Sequence, residues 1–175
     1  GCGDAGCVPT NLPGYQLYVP ETLARFERAW GVRPPAEEGL VVTEMVEGCL
    51  DGRIRAMYVV GENPLLSEPD LHHAAKAISQ LDFLLVQDLF LHETAELAHV
   101  FLPAARFAEK DGTFTNSERR VQRVRQALPP QGESRPDWWI TAELAKRIAA
   151  RLGVPAEGFD YAGPAPIFAE MAGLV

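Results

Sequence analysis

Residues 54–70 read IRAMYVVGENPLLSEPD. The apolar run from Ile54 to Val60 stops at Gly61-Glu62-Asn63-Pro64, and a helix-compatible segment opens behind Ser67, Glu68, Pro69 and Asp70. A continuous run of β-branched and aromatic residues suits a strand buried on both faces, as in a parallel sheet. Open α/β sheets hold their ligands beyond the carboxyl ends of such strands. There Gly61 lets backbone approach a ligand without a Cβ, and Asn63 offers an amide donor and acceptor. Gly, Asn and Pro also punctuate any ordinary turn, so this tetrapeptide has two readings.

A second unit answers the first. Leu81 to Val86 is another apolar run, and it ends in Gln87-Asp88. The intervening residues 70–80 read as a helix with Ala74, Ala75, Ala77 and Ile78 available for packing. Strand, helix and strand within about 35 residues fit the right-handed βαβ unit, which would bring Asn63 and Gln87-Asp88 to one sheet edge. An acidic side chain at that edge can accept from a ribose hydroxyl or from the N–H groups of a guanine. Val100 to Leu102, ending at Pro103, reads as a third strand. Neither a complete G-x-G-x-x-G nor a Walker loop is present, so spacing alone leaves a nucleotide-like ligand open.

The totals bound the classes. At 175 residues the chain is about one domain, able to bury roughly two thirds of its surface. It begins with Gly and shows neither a signal peptide nor an 18-residue apolar run, so a piece of a longer soluble, cytoplasmic protein is expected. A net charge of −8 and a pI near 5.0 argue against general binding to nucleic acid or to anionic membrane, and membrane insertion is not expected. Three cysteines do not form a disulfide framework and fit a reducing compartment. Cys2 and Cys7 lack a usual zinc spacing, and His72 and His73 would diverge on a helix, so no metal ligand is assigned.

Around this centre, residues 1–13 read as an irregular loop rich in Gly, Pro and Asn. A helix is expected from Pro20 to Trp30, with Leu23, Phe26, Ala29 and Trp30 on one face and Gly31 as its stop. Thr43 is placed as the cap of a helix through Leu50, with Met45, Val46, Cys49 and Leu50 giving apolar contacts and Asp51-Gly52 ending it. Residues 89–98 make a loop and short helix, in which Thr94 either caps locally or offers its hydroxyl to a ligand.

Residues 105–126 carry a cationic excess: Arg106, Lys110, Arg119, Arg120, Arg123 and Arg125. Lys110 to Thr113 reads as a turn there. Such a segment can neutralise phosphates, dock an acidic neighbour, or simply be a solvated face. Arg135-Pro136-Asp137 opens a helix to Leu152, with Ile140, Leu144, Ile148 and Leu152 as its apolar stripe and Gly153 as its end. Asp137 can stabilise the helix N-terminus or accept from a ligand. A last short helix is expected near residues 165–171.

Taken in order, several stretches resemble the molybdopterin oxidoreductases, and most closely the catalytic alpha subunit of formate dehydrogenases. They are Gly14-Tyr15-Gln16, Phe26 to Gly31, Gly61 to Ser67, Val86-Gln87-Asp88, Glu93-Thr94-Ala95, Val100 to Ala104, Glu109 to Arg120 and Arg135 to Trp138. The resemblance implies an α/β, Rossmann-like three-layer domain with a mostly parallel sheet and an irregular basic segment. Its core would be residues 1–106 and 136–175, and 107–135 an excursion toward a cluster-binding region that is mobile when its partner is missing. It further implies an enzyme holding molybdenum or tungsten through bis-molybdopterin guanine dinucleotide, with formate as substrate. Electrons would leave through a 4Fe-4S cluster outside this chain. Partners would be the remaining domains of the same subunit and electron-transfer subunits.

Carried over by position, the cofactor contacts are Asn63, Gln87, Asp88, Lys110 and Asp137, with Gly61, Ser67 and Thr94 as weaker candidates. Catalytic residues and metal ligands would lie elsewhere in the full protein. His99, where the family commonly carries Asp, and Cys7 depart from its pattern. An assimilatory nitrate reductase, the related complex I subunit and a non-catalytic interaction module are the alternative readings. A shared rim for Asn63, Gln87-Asp88 and Asp137 is the feature on which the assignment rests.

Overall fold

The computed structural model describes residues 2–175; Gly1, the first residue of the expected N-terminal loop, lies outside the described residues. The centre is a parallel sheet of β1 (Ala56–Val60), β2 (Phe83–Asp88) and β3 (Val100–Pro103), in that spatial order. Ala56 pairs with Phe83 through to Val60 with Gln87, and Leu85 pairs with Val100 through to Asp88 with Pro103. The strand ends therefore emerge together, as the βαβ reading requires.

Four helices join or flank these strands: α1 (Pro20–Trp30), α2 (Val42–Leu50), α3 (Pro64–Ser67) and α4 (Leu71–Ile78). Asp70 caps α4 by accepting from the His73 N–H at 3.0 Å, and Ala74, Ala77 and Ile78 are buried, the last two in one core with the strands. One core gathers Val46 and Cys49 of α2, Ala77 and Ile78 of α4, and Val59, Leu84 and Val86 of the strands. A smaller core holds Leu12, Leu23, Phe26 and Leu174.

The strand alternation sends the neighbouring side chains Tyr58, Leu85 and Gln87 to the opposite face. On that side Gln87 reaches Asp137 at the start of α6 (Asp137–Leu152). Helices thus lie on both faces of the sheet, giving the three-layer arrangement. The chain ends in α7 (Pro164–Leu174), longer than expected, after α5 (Glu93–Glu96) has linked β2 to β3.

Several expectations need correction. β1 is not buried on both faces: Tyr58 and Val60 remain exposed, because β1 is an edge strand and α6 covers only part of that face. In α1, Thr22, Leu23 and Phe26 are buried while Ala29 and Trp30 are exposed; Trp30 packs edge-on against Phe26 and donates through Nε1 to Glu170 at 3.0 Å. Thr43 does not cap α2. The cap residue is Val41, whose N–H donates to the Glu44 carboxylate at 3.0 Å, so Thr43 already sits inside the helix.

The apolar stripe of α6 is also misplaced. Ile140, Ala142 and Ala149 are buried, whereas Ile148 and Leu152 are exposed. Each i+4 step drifts about 40° round a helix with 3.6 residues per turn, so a stripe read by fours leaves the packed face.

The basic segment is more regular than expected. β4 (Gly112–Thr115) and β5 (Val121–Val124) form an antiparallel hairpin. Its turn lies at Asn116 to Arg120, not at Lys110 to Thr113, because Asn116 Oδ1 accepts from the backbone N–H groups of Glu118 (3.0 Å) and Arg120 (2.9 Å). An asparagine that bonds backbone ahead of it is a strong turn former. The hairpin returns to the sheet where Ala104 bridges Arg135 in parallel, and the Ala105 N–H donates to the Arg135 carbonyl at 2.8 Å.

Candidate functional site

The polar side chains at the carboxyl ends of β1 and β2 form two hydrogen-bonded sets. The first runs across the α6 face. The Tyr58 hydroxyl donates to Gln87 Oε1, Gln87 Nε2 donates to Asp137 Oδ1 at 2.8 Å, and Lys110 Nζ pairs with Asp137 Oδ2. Gln87 is fully buried, and a buried amide without partners would be costly, so this chain of bonds also fixes which way the amide points. Burial pushes the Tyr58 hydroxyl above its usual range; the Thr141 hydroxyl opposes this and the Asp137 charge adds to it.

The second set lies one loop away. Thr94, fully buried, donates its hydroxyl to Asn63 Oδ1 at 2.7 Å and accepts from the Leu65 N–H at 3.1 Å. Asn63 Nδ2 then donates to Glu93 at 2.8 Å, and that bond holds the Glu93 carboxyl below its ordinary range. Thr94 therefore neither caps its own helix nor stands open to a ligand. His92 takes the capping role, its Nδ1 accepting from the Ala95 N–H at 3.4 Å.

The two sets meet through the backbone, where the Gly61 N–H donates to the Gln87 carbonyl at 2.9 Å. Gly61 has φ +64, and nothing lies within 4 Å of where a Cβ would sit, so the backbone is bare on that side. Asp88 accepts from the Leu89 N–H at 2.5 Å, and its other oxygen lies 3.3 Å from His92 Nε2 without hydrogen-bond alignment. Ser67 is exposed at the end of α3; its N–H donates to the Asn63 carbonyl at 3.0 Å, and it joins neither set through its side chain.

Gln87, Asp137 and Lys110 are thus joined directly, Asn63 and Thr94 are joined separately, Gly61 links the two through its backbone, and Asp88 lies beside His92 apart from the first set. Sequence reasoning missed Tyr58, Glu93 and His92. Tyr58 was legible in principle, since strand alternation places it on the same face as Gln87 across the register. Among the described residues, no group of three His, Cys, Asp or Glu side chains converges in a way that could hold a metal ion.

The family model described as molybdopterin oxidoreductase matches residues 24–147, more than half of the chain. The chain belongs to the molybdopterin oxidoreductase family. Membership implies a molybdopterin cofactor carrying molybdenum or tungsten. Within the family, the chain is 46% identical over 171 residues to the F420-dependent formate dehydrogenase subunit alpha of Methanocaldococcus jannaschii, covering 98% of this chain and 24% of that one. It is 43% identical over 176 residues to F420-dependent formate dehydrogenase 2 subunit alpha of Methanococcus maripaludis, covering 100% and 25%. The chain spans between 17% and 25% of the length of such curated relatives. The acetylene hydratase of Pelobacter acetylenicus shares the fold, with a TM-score of 0.61, 22% identity, and coverage of 81% of this chain and 20% of that one.

The residues at the strand ends suit the organic part of such a cofactor by the chemistry of their donors and acceptors. Carboxylates at Asp88 and Asp137 can accept from N–H and hydroxyl groups and the Asn63 amide can both donate and accept, while the fully buried Gln87 is bonded to Tyr58 and Asp137 and acts by holding Asp137 in place. Lys110 brings a positive charge able to neutralise a phosphate. The bare backbone at Gly61 leaves room for close approach.

Proposed function

We propose that this chain is the guanine-nucleotide-clasping part of a formate dehydrogenase catalytic subunit, which in the whole protein binds bis-molybdopterin guanine dinucleotide. The observation that carries this reading is the hydrogen-bonded chain of Gln87, Asp137 and Lys110 at the ends of parallel strands. The names of the relatives, matched over nearly the whole chain, support formate as the substrate class. When bound, the cofactor supplies the metal-centred oxidation of formate to carbon dioxide. In this reading a 4Fe-4S cluster elsewhere in the protein takes the electrons, electron-transfer subunits receive them, and the assembly works in the cytoplasm.

The chain's own residues bind and orient. Asp88 and Asp137 accept from the base and ribose, Gln87 and Asn63 complete the polar set, and Lys110 turns from Asp137 toward phosphate. Gly61 permits close approach, Thr94 holds the Asn63 amide in place, and Ser67 lies at the margin. Residues 2–106 and 136–175 form the cradle and 107–135 the excursion, supported by the bridge between Ala104 and Arg135.

Titration of the 175-residue chain with guanosine monophosphate, followed by amide chemical shifts, tests this directly. Shifts concentrated at Asn63, Gln87 and Asp88 are expected; shifts confined to the basic hairpin, or none, would overturn the cradle. The chain alone is expected to be inactive, and formate-dependent dye reduction by it would contradict the proposed division of labour.

A further inference from the structure

Near the start of the chain, the backbone closes a small turn around Gly6. The Gly6 N–H donates to the Gly3 carbonyl at 3.1 Å, and the Cys7 N–H donates to the Cys2 carbonyl at 3.1 Å. Cys2 is in the right-handed region and Gly6 in the left-handed region, with φ +86. This pair of nested bonds is a Schellman turn, in which the side chains at the first and sixth positions are the ones that meet. Here both are cysteines. Both thiols are free and exposed, whereas Cys49 is buried in the main core.

We propose that Cys2 and Cys7 form a reversible disulfide, making this turn a thiol–disulfide site independent of the cofactor reading. Bridging requires Cα atoms about 4.4–6.8 Å apart. A turn that bonds the first residue's carbonyl to the sixth residue's N–H brings them into that range. The oxidant is a low-molecular-weight disulfide such as oxidised glutathione. One deprotonated thiol attacks a sulfur of that disulfide, forming a mixed disulfide and releasing one thiolate. The second thiol, deprotonated in turn, attacks the protein sulfur, forms the Cys2–Cys7 bond and releases the second thiolate. Two protein thiols are oxidised and one disulfide is reduced to two thiols. Partial burial, and then the neighbouring Cys2, push the Cys7 thiol above its usual range. Since the thiolate is the reacting form, the second step quickens as pH rises.

The bridge would stiffen a turn that already carries weight. A Cβ on Gly3 would lie 2.5 Å from the Tyr15 hydroxyl, so the turn rests directly on that ring. The Arg119 guanidinium at the hairpin tip lies 5.9 Å from the centre of the same ring. Oxidation therefore acts on the segment that supports the basic hairpin.

The 175-residue chain is equilibrated in reduced and oxidised glutathione, alkylated, and mapped by mass spectrometry. The peptide holding both cysteines is expected to lose two hydrogens in mass and resist alkylation, while Cys49 is alkylated once the chain is denatured. The equilibrium constant should exceed that of the same chain in urea by about tenfold. Gly6→Val, which cannot adopt a positive φ without strain, should bring the two constants together. Cys7→Ser should instead retain glutathione on Cys2. Equal constants in native and unfolded chain, stable glutathione adducts on the parent chain, or links between chains would each overturn the proposal.

Discussion

Thr94 shows how much one hydroxyl can hold. It is fully buried, donates to Asn63 Oδ1 and accepts from the Leu65 N–H, so it ties the turn after β1 to the helix after β2. Thr94→Val keeps the shape but leaves that N–H without its acceptor, which costs about 1–3 kcal/mol. A lower urea midpoint with an unchanged slope is the expected result. Tyr58 makes a pH prediction at the same scale. Its folded value lies above the ordinary 10.0, because burial disfavours the phenolate and Asp137 repels it. The stability at stake is fully present below pH 10.0 and is lost as pH rises through the higher folded value. Tyr58→Phe should fall less steeply in stability across that alkaline window, with the remainder owed in part to Tyr161, which is raised by burial and by Glu170.

Among the elements, the β4–β5 hairpin joins no third strand. Phe114 and Val121 are exposed, and the hairpin pairs only within itself. Two strands alone are marginal in water, since they have no second layer on which to bury an apolar face. Amide hydrogen exchange is expected to show lower protection at residues 112–124 than at 84–87, where β2 is central and buried. Equal protection would mean that the hairpin shares the stability of the sheet. The contrast with α6 is instructive. That helix runs from Asp137 to Leu152 and ends at Gly153 with φ +67, as its punctuation indicated, yet its buried face does not follow its apolar stripe. Termini depend on local backbone chemistry, whereas faces depend on what packs against them.

The molecule as a whole leaves much apolar surface uncovered. Phe90 is 63% exposed and Leu91 65%, side by side in the loop after β2, and Leu152 at the end of α6 is 70% exposed. Phe90 and Leu91, adjacent in sequence and both open to solvent, are the kind of apolar surface that association would cover. The chain also spans no more than a quarter of the curated relatives described above. Sedimentation of the isolated chain is therefore expected to show association that grows with concentration. Replacing Phe90 and Leu91 together by serine should shift it toward monomer; identical sedimentation of variant and parent would place the sticky surface elsewhere. No helix among the described residues is long and apolar enough to cross a membrane.

The order of strands and helices around residues 54–103 was legible without coordinates, because apolar runs, Gly61, Asp70 and Pro103 act on the backbone within a few residues of themselves. Gln87 and Asp137 could be singled out by type and position and Lys110 by the family resemblance, but their direct bonding could not. Nor could the role of Thr94 or the exposed face of β1. Each of these depends on pairings between residues distant along the chain, 50 positions apart for Gln87 and Asp137, and only the packed layers decide which side chains meet.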